Sequence, residues 1–175
     1  MQKPSLEQLD KARKEGFRPS VIACLIYNKK LLFVFKKEYK LWQLPQGGVR
    51  NKEEPKDSLQ RELKEELGPD FAEKINFSDI KYLGEDKMEF KPGRHNVDVL
   101  KDDSGSEVNM IGKLYYFTVL DCEDDKLDIS KSFYDEHFWM NYQEARFLAD
   151  KIYQRGKRRV TLRIIEELFN KGIIE

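Results

Sequence analysis

The run from Gly47 to Gly68 constrains the fold of this chain more than any other segment, because it joins a glycine-rich loop to an acidic helix. It reads GGVRNKEEPKDSLQRELKEELG. Pro55 suits the first turn of a helix, where its missing N–H needs no partner. Gly68 followed by Pro69 is a typical helix end. The segment therefore predicts a helix of about three to four turns directly after the loop.

Three leucines spaced every four residues form the apolar stripe of this helix: Leu59, Leu63 and Leu67. At about 100° per residue, Glu62 and Glu66 lie close together beside this stripe, and Glu65 lies about 60° beyond Glu62. Three carboxylates thus share one side of the helix, although like charges at this spacing weaken a helix. A divalent cation would compensate, and carboxylate oxygens on a rigid helix favour Mg²⁺ or Mn²⁺ over zinc.

A plainer interpretation of the same helix is an amphipathic surface helix whose acidic face is solvated, since Glu and Lys are good helix formers. In that case Arg61 is a surface cation that pairs with Asp57 or Glu65 at helical spacing. The fixed spacing of Gly47 and Glu53 ahead of the helix favours a functional site instead.

The spacing of Gly47, Glu53, Arg61 and the three glutamates resembles the signature of the Nudix hydrolases, G-x5-E-x7-R-E-U-x-E-E-x-G-U, in which U is bulky and apolar. Every fixed position matches, and only the last U departs, being Pro69. The resemblance implies an α+β fold with a mixed β-sheet between α-helices, and hydrolysis of a nucleoside diphosphate linked to a further group. It also implies a salt bridge from Arg61 to Glu53 that holds the loop against the helix.

The glutamates have distinct expected roles in a site of this kind. Glu62 and Glu66 are the expected direct ligands of Mg²⁺ or Mn²⁺, with the carbonyl of Gly47 as a third. Glu65 would hold a further ion or its water shell. All three glutamates are therefore candidate catalytic and metal-binding residues.

The general base is expected to be Glu62 or a carboxylate outside the helix. Asp135 and Glu136 precede a predicted strand where related enzymes often supply an acidic group, and Glu136 is the preferred candidate. An exposed acidic turn is the alternative for this pair. His95 and His137 lack metal-ligand spacing and are predicted to be non-catalytic.

The chain has 175 residues, which predicts a single domain, residues 1–175, with one substantial core. Residues 1–16 are expected to form a helical lead-in and residues 154–175 a C-terminal helix. The 32 basic and 32 acidic side chains balance, so no overall field points to nucleic acid or a membrane. Cys24 and Cys122 are too few for a disulfide framework, and neither a membrane span nor a signal peptide is visible. These features predict a cytoplasmic protein, with a monomer favoured.

Apolar patterning predicts six strands: Val21–Tyr27, Leu31–Phe35, Ile80–Leu83, Met88–Phe90, Leu114–Leu120 and His137–Met140. Three further helices are predicted: Pro4–Lys14, Gln143–Tyr153 and Arg159–Asn170. Gly84 to Asp86 is predicted to be a turn, and the polar stretch Lys91–Gly112 a long loop. This order of elements predicts an α+β sandwich.

Two flanking segments narrow the resemblance. Gly16–Val21 and Trp42–Gly48 are similar to the bacterial RNA pyrophosphohydrolases and dinucleoside polyphosphate hydrolases. That branch carries a Gly-Gln-x-Gln-x-Trp-Phe stretch where this chain has Ile111–Phe117, so the glutamines are missing. The missing glutamines leave the identity of the substrate open, but they do not affect the expected hydrolysis of a phosphoanhydride bond.

Candidates for binding the substrate are Arg18, Lys36, Lys37, Gln46, Lys113, Lys157 and Arg158. The resemblance implies that Arg18 approaches the 5′ end of the substrate. The cations from Lys157 to Arg159 oppose the dipole at a helix start, which favours an anionic partner such as RNA. A lysine at a strand end is otherwise often only solubilising. Four aromatic residues could stack on a base, although those in strands also suit the core: Phe17, Tyr39, Tyr115 and Tyr116.

Three functions remain open at this point. The first is hydrolysis of pyrophosphate from RNA 5′ ends, and the second is hydrolysis of dinucleoside polyphosphates or related small nucleotides. The third is binding of RNA or nucleotide without catalysis. The intact glutamates argue against a pure binder, the basic last helix favours RNA, and the missing glutamines weaken the case for RNA.

Overall fold

The computed structural model describes residues 1–91 and 98–175. These residues form five α-helices: α1 (Leu6–Lys14), α2 (Pro55–Leu67), α3 (Pro69–Ala72), α4 (Tyr142–Asp150) and α5 (Arg155–Asn170). They also form nine β-strands: β1 (Phe17–Tyr27), β2 (Lys30–Lys36), β3 (Leu41–Gln43), β4 (Gln46–Gly48), β5 (Lys81–Glu89), β6 (Val99–Lys101), β7 (Glu107–Asn109), β8 (Gly112–Asp121) and β9 (Glu136–Met140). His95, predicted to be non-catalytic, lies outside the described residues.

Seven strands form one mixed sheet with the order β3–β2–β1–β8–β5, in which β4 also pairs with β1 and β9 with β2. β1 and β8 run parallel, from Phe17 opposite Gly112 to Ile26 opposite Asp121. The other pairs of this sheet are antiparallel. With helices on both faces, the predicted α+β fold is confirmed.

Each face of the sheet has its own core. The leucine stripe of α2 is buried against one face together with α1, α3 and Ala23 of β1. The next residue, Cys24, enters the opposite core, where it packs with α4 and α5. Successive side chains of a buried strand point to opposite faces, so β1 anchors both helical layers. Cys24 is a buried free thiol.

One edge of β1 is shared by two different strands. β2 pairs with β1 only at Ile26 and Tyr27, and then continues beside β3 and β9. β4 pairs with β1 further back, at Ser20 to Ile22. The sheet therefore splits between β2 and β4, and the glycine-rich loop lies at this split.

β5 is a single strand, so the predicted turn at Gly84 to Asp86 is wrong. β5 pairs antiparallel with β8 along its length, and a register shift between Tyr82 and Gly84 takes up the irregularity. Pairing with a buried partner strand outweighs the local turn preference of these residues.

The predicted long loop after Lys91 is also wrong in part, because β6 and β7 form a hairpin. Its turn is closed by Asp102, whose Oδ1 accepts hydrogen bonds from the backbone N–H of Ser104 and Ser106, each at 2.9 Å. Asp and Ser are favoured in turns for this reason, which explains why the segment resembles a loop in sequence.

The last helix, α5, begins at Arg155, within the predicted C-terminal helical segment 154–175 and four residues before the start at Arg159 that the apolar pattern predicts. Across residues 1–91 and 98–175, no helix combines the length and apolar character that a bilayer crossing requires.

Candidate active site

Arg61 of α2 holds the loop that precedes the helix. Its Nε and Nη2 atoms each donate to a different carboxylate oxygen of Glu53 at 2.9 Å, and Nη2 also donates to the Gly48 carbonyl at 3.0 Å. The backbone N–H of Arg50 donates to Glu53 as well, at 2.8 Å. The salt bridge that the resemblance implies is therefore present, whereas Glu65 approaches Arg61 only to 4.0 Å.

Glu53 is kept ionised by these contacts. Burial raises the pKa of its carboxyl group, but the hydrogen bonds from Arg61 and from the Arg50 N–H together lower it below the usual value. The Arg61 and Glu53 side chains are only 18% and 15% exposed, so the pair is partly shielded from water. Removing one partner of such a pair costs more stability than removing one partner of an exposed ion pair on a helix surface.

Gly47 allows the Glu62 side chain to pack against the loop backbone. A Cβ atom on Gly47 would overlap the Cγ and Cδ atoms of Glu62, so only glycine lets this side chain lie against the loop backbone. Arg61 Nη1 donates to Glu62 Oε1 at 2.6 Å. The loop and the helix thus meet at Glu62, with its carboxylate held between Gly47 and Arg61.

Glu66 is the most enclosed of the three glutamates. The hydroxyl of Tyr134 donates to its Oε2 atom at 2.5 Å, and the backbone N–H of Phe133 donates to its backbone carbonyl at 2.8 Å. Burial raises the pKa of Glu66 to about 7, the charges of Glu62 and Glu65 add to this effect, and the Tyr134 hydrogen bond opposes it. Ionised Glu66 therefore favours a nearby cation.

The three glutamates offer oxygen donors of graded exposure. The Glu65 side chain is 58% exposed and that of Glu62 is 18% exposed. In the part of the chain that the structure describes, no three His, Cys, Asp or Glu side chains already share the geometry of a metal site. The donor chemistry nevertheless fits a hard divalent cation, because all donors are oxygens and the Glu62 carboxylate lies directly against the Gly47 backbone.

A polar network links α5 to the glutamates. Lys157 Nζ donates to Gln43 Oε1 at 3.3 Å, and Gln46 Nε2 donates to the same oxygen at 2.9 Å. Burial and the charge of Glu66 raise the pKa of Tyr134, which donates to Glu66, and the nearby Gln43 opposes this effect. Lys157 therefore lies inside the site and not on the surface where a solvent-facing basic cluster would place it.

Arg18 and Lys113 lie opposite each other on the parallel strands β1 and β8. Arg18 packs over Gly48, where a Cβ atom would overlap its guanidinium. Burial lowers the pKa of Lys113, the charge of Arg18 lowers it further, and Asp98 opposes the effect. Burial also lowers the pKa of Lys157 to about 8, with Lys113 contributing and Glu66 opposing. Arg18, Lys113 and Lys157 thus lie near one another, with the Glu66 carboxylate close to Lys157.

These cations line a cleft of roughly 660 Å³. Its lining includes the cations Arg18, Lys91, Lys113, Arg155 and Lys157, the aromatic Tyr153 and two carboxylates, Glu89 and Asp98. The structure therefore brings together four of the predicted substrate-binding residues: Arg18, Gln46, Lys113 and Lys157.

The remaining candidates have other positions. Lys36 Nζ donates to the Phe133 carbonyl at 2.6 Å, and the backbone N–H of Lys37 donates to Asp135 at 2.8 Å. Lys36 thus braces the segment before β9, and the exposed Lys37 side chain lies at the start of a short 3₁₀ turn.

The helix cations after Lys157 also diverge from the site. Arg158 is half-buried on α5. Arg159 pairs with Asp86 at 2.6 Å and donates to the Lys87 carbonyl. The predicted cluster therefore does not form one continuous basic surface.

The segment before β9 supplies a phenol where a carboxylate was expected. Glu136 is exposed at the start of β9, and its side chain makes no hydrogen bond or ion pair within residues 1–91 and 98–175. Tyr134 is instead the group that reaches Glu66. No sequence pattern marks Tyr134 or Gln43, so both were missed. His137 contributes no metal site, and burial lowers its pKa against the opposing charge of Asp125.

Buried Arg13 of α1 is a further residue that the sequence did not indicate. It is 3% exposed and donates to the backbone carbonyls of Val49 at 3.2 Å and Arg50 at 2.8 Å. It also contacts Asp103, in the turn between β6 and β7, at 3.2 Å. The loop is thus tied to α1 and to the hairpin as well as to α2.

The candidate stacking residues are mostly structural. Tyr115, Tyr116 and Phe17 are core residues with 1%, 2% and 6% exposure. Tyr39 is 49% exposed, and its carbonyl accepts a hydrogen bond from the Tyr153 hydroxyl. The core alternative is therefore correct for the three strand aromatics.

Comparison with known proteins agrees with this arrangement. The NUDIX domain family matches residues 16–163, which include the loop, α2 and most of α5. The chain belongs to the Nudix family. Divalent metal ions are typical of Nudix hydrolases, which is consistent with the oxygen donors of this site.

Curated and structural relatives extend the match. An RNA pyrophosphohydrolase from Hydrogenovibrio crunogenus is 40% identical over 74 residues, which cover 42% of this chain and 41% of that protein. This Nudix chain therefore spans about two fifths of that relative's length in the match. The E. coli dihydroneopterin triphosphate pyrophosphohydrolase superposes with a TM-score of 0.57 at 14% identity, covering 86% of this chain and 97% of that one. The C. elegans Ap4A hydrolase gives a TM-score of 0.56 at 13% identity, covering 89% and 98%. These two likenesses show the shared fold.

Proposed function

We propose that this chain is a metal-dependent pyrophosphohydrolase that cleaves a phosphoanhydride bond at the 5′ end of RNA and releases pyrophosphate. The observation that carries the proposal is the position of Glu62 against Gly47, with Lys157, a cation of the cleft, near enough to Glu66 to interact with its charge. Phosphates bound to those cations would lie next to the carboxylates.

Glu62, Glu66 and the carbonyl of Gly47 are the residues that would hold the cation, Mg²⁺ or Mn²⁺, with Glu65 at its outer side. When bound, a divalent cation neutralises charge on phosphate oxygens and lowers the pKa of a water ligand. Burial and the neighbouring carboxylates disfavour ionised Glu66, so a cation here would relieve an existing repulsion.

The protein's own residues orient these groups. Arg61 holds Glu62 through the 2.6 Å hydrogen bond, and Tyr134 fixes one oxygen of Glu66. Glu62 is the proposed proton acceptor in preference to Glu136, because Glu136 is exposed outside this polar network. With Glu62 as the proton acceptor, the reacting groups all lie on α2 and on the loop that Arg61 braces.

The substrate phosphates are assigned to Arg18, Lys113 and Lys157, which line the cleft, and to Gln46, which donates to the same Gln43 oxygen as Lys157. Beyond them the cleft continues past Lys91 and Arg155, which leaves room for nucleotides that follow the 5′ end. An open, cationic cleft suits a polymer whose backbone carries a phosphate at every nucleotide. The printed activity of the Hydrogenovibrio relative supports the same substrate class.

Hydrolysis of dinucleoside polyphosphates is the second candidate. Arg159 is paired with Asp86, which removes part of the reason for preferring RNA. The stretch Ile111–Phe117 also lacks the glutamines of the RNA-cleaving branch. A binder without catalysis is disfavoured, since all three glutamates of the signature are intact.

The deciding experiment compares hydrolysis of triphosphorylated RNA, diphosphorylated RNA and diadenosine tetraphosphate under identical Mg²⁺ concentrations. Preferential cleavage of the RNA substrates supports the proposal. Preferential cleavage of diadenosine tetraphosphate selects the second candidate, and no cleavage of any of the three rejects the enzymatic assignment for these substrates.

A further inference from the structure

Arg13 of α1 is the only arginine or lysine among the described residues whose side chain is almost fully buried. A buried guanidinium is costly unless hydrogen bonds satisfy it. The helix that carries it precedes the residues that match the Nudix family, which begin at Gly16. The burial of Arg13 therefore needs an explanation that the family signature does not supply.

The contacts of Arg13 with the loop after β4 supply that explanation. Its Nη2 atom donates to the backbone carbonyls of Val49 at 3.2 Å and Arg50 at 2.8 Å. The preceding carbonyl, that of Gly48, accepts from Arg61 of α2 at 3.0 Å. Three successive carbonyls of the loop thus accept from a guanidinium, and the two arginines lie on different helices. The loop is held from two sides.

The backbone of Arg50 connects the two arginines. Its carbonyl accepts from Arg13, and its N–H donates at 2.8 Å to Glu53, whose carboxylate is held by Arg61. Arg61 also donates to Glu62, a proposed metal ligand. A chain of hydrogen bonds that passes through the backbone of one loop residue therefore links α1 to Glu62.

The hairpin of β6 and β7 fixes the other end of the guanidinium. Arg13 Nη1 donates to Asp103 Oδ1 at 3.2 Å, and Asn51 Nδ2 donates to the same oxygen at 2.9 Å. Asn51 also donates to the Lys101 carbonyl at 2.9 Å. The backbone N–H of Asp103 donates to Asp10 of α1 at 2.6 Å. Because its acceptors lie on separate segments of the chain, the guanidinium is held in one orientation.

We propose that Arg13 is a positioning residue that keeps the Gly47 carbonyl and Glu62 in place for the divalent cation, so that α1 forms part of the metal site. The proposal rests on the proposed function, because it concerns the cation that the site would bind. Arg13 touches neither ligand and acts through the backbone of the loop. Groups that orient metal ligands in this way typically change metal affinity by about 10- to 100-fold when they are removed.

Calorimetric titration of the full chain with Mn²⁺ alone tests this role. Arg13→Met removes all three hydrogen bonds of the guanidinium and should weaken Mn²⁺ binding by about tenfold or more. Arg13→Lys keeps a cationic donor and should recover part of the affinity. The matched control is Leu9→Ala, since Leu9 is a fully buried residue of α1 in the core that holds the leucine stripe of α2. It should lower the melting temperature but leave the Mn²⁺ affinity nearly unchanged.

Thermal melting accompanies each titration. Asp103→Ala removes one acceptor of Arg13; it replaces Arg13→Met if that variant fails to fold, and it should show a smaller loss of affinity. Unchanged Mn²⁺ affinity in the folded variant, or an equal loss in Leu9→Ala, overturns the role of Arg13 even if the wild-type protein hydrolyses RNA. A wild-type protein that binds no Mn²⁺ overturns it as well. Mn²⁺ binding that depends on Arg13 in a protein that cleaves none of the three test substrates retains the role and rejects the proposed function.

Discussion

Replacing Arg61 with alanine is expected to lower stability and activity together. The guanidinium donates two hydrogen bonds to Glu53, one to Glu62 and one to the Gly48 carbonyl. Without it, the Glu53 carboxylate keeps only the backbone N–H of Arg50 as a partner. The loop then keeps only the 3.2 Å hydrogen bond from the Ser58 hydroxyl to the Gly48 carbonyl as a side-chain bond to α2, and Glu62 loses the group that orients it.

The size of the effect follows from burial. Breaking an exposed ion pair costs less than about 1 kcal/mol, whereas removing one partner of a buried pair costs about 3–5 kcal/mol. The Arg61 and Glu53 side chains are 18% and 15% exposed, which places them nearer the buried case. We expect a loss of about 2–3 kcal/mol, which corresponds to a melting temperature lower by about 4–12 °C for a domain of this size.

The loss should depend on pH. Burial raises the pKa of Glu53, but Arg61 and the Arg50 N–H bring it below the usual value in the folded protein. A lowered folded pKa gives stability above the unfolded pKa, and this stability is lost as the pH falls through the folded pKa. In the variant, burial acts without Arg61 and favours the protonated acid. The difference from the wild type should therefore be largest near neutral pH and shrink in acid.

Calorimetric melting at several pH values measures this prediction, with hydrolysis measured on the same preparations. Arg146→Ala is the matched control, because the Arg146 and Glu166 side chains of that ion pair are 55% and 40% exposed. It should leave the melting temperature nearly unchanged. If Arg61→Ala melts like Arg146→Ala at neutral pH, the partly buried pair does not stabilise the loop and our reasoning is refuted.

Glu66→Gln should lower turnover by several orders of magnitude while the melting temperature is retained, and excess chelator should abolish hydrolysis; full activity in either case would exclude the metal role. Burial raises the pKa of Glu66 from 4.5 to about 7. In the metal-free protein, the free energy of unfolding should therefore decline as the pH rises from 4.5 toward about 7. The gain in melting temperature on adding Mn²⁺ should therefore be greater above neutral pH than below it, and equal gains would contradict the assignment. Gly47→Ala should reduce activity by at least about tenfold, because its Cβ overlaps Glu62. Gly84→Ala, whose Cβ would meet its neighbours at 3.6 Å or more, should stay active, and similar losses in both would mean that crowding at Glu62 is not the cause.

The acidic helix was predictable because its signals are local. Pro55 and Leu67 bound α2 in the structure, as the proline, the glycine and the leucine stripe predict. The partner of Arg61 also follows from fixed spacing, although burial of the pair does not. β5 was not predictable in the same way, because Gly84 to Asp86 favours a turn locally and is overruled by pairing with β8.

The site was predictable only where it lies within the signature. Tyr134 reaches Glu66 and Gln43 reaches Lys157 through the tertiary fold, and nothing in their neighbouring residues marks either one. The direction of Lys157 depends on where α5 begins. Because α5 starts at Arg155, Lys157 belongs to its first turn and faces the site. If α5 began later, Lys157 would lie in the exposed segment that precedes the helix.

The parallel pairing of β1 with β8 affects how this protein forms during synthesis. The Thr118 hydroxyl binds the Ile22 carbonyl across a sequence separation of 96 residues. Leu114 and Leu120 of β8 belong to the same core as the leucine stripe of α2. At about 5–20 residues per second, ribosomes take some seconds to add β8 after α2 has emerged. During that interval the stripe has an incomplete core to cover it, so we expect the nascent chain to assemble its carboxylate site only after most of the domain has been translated.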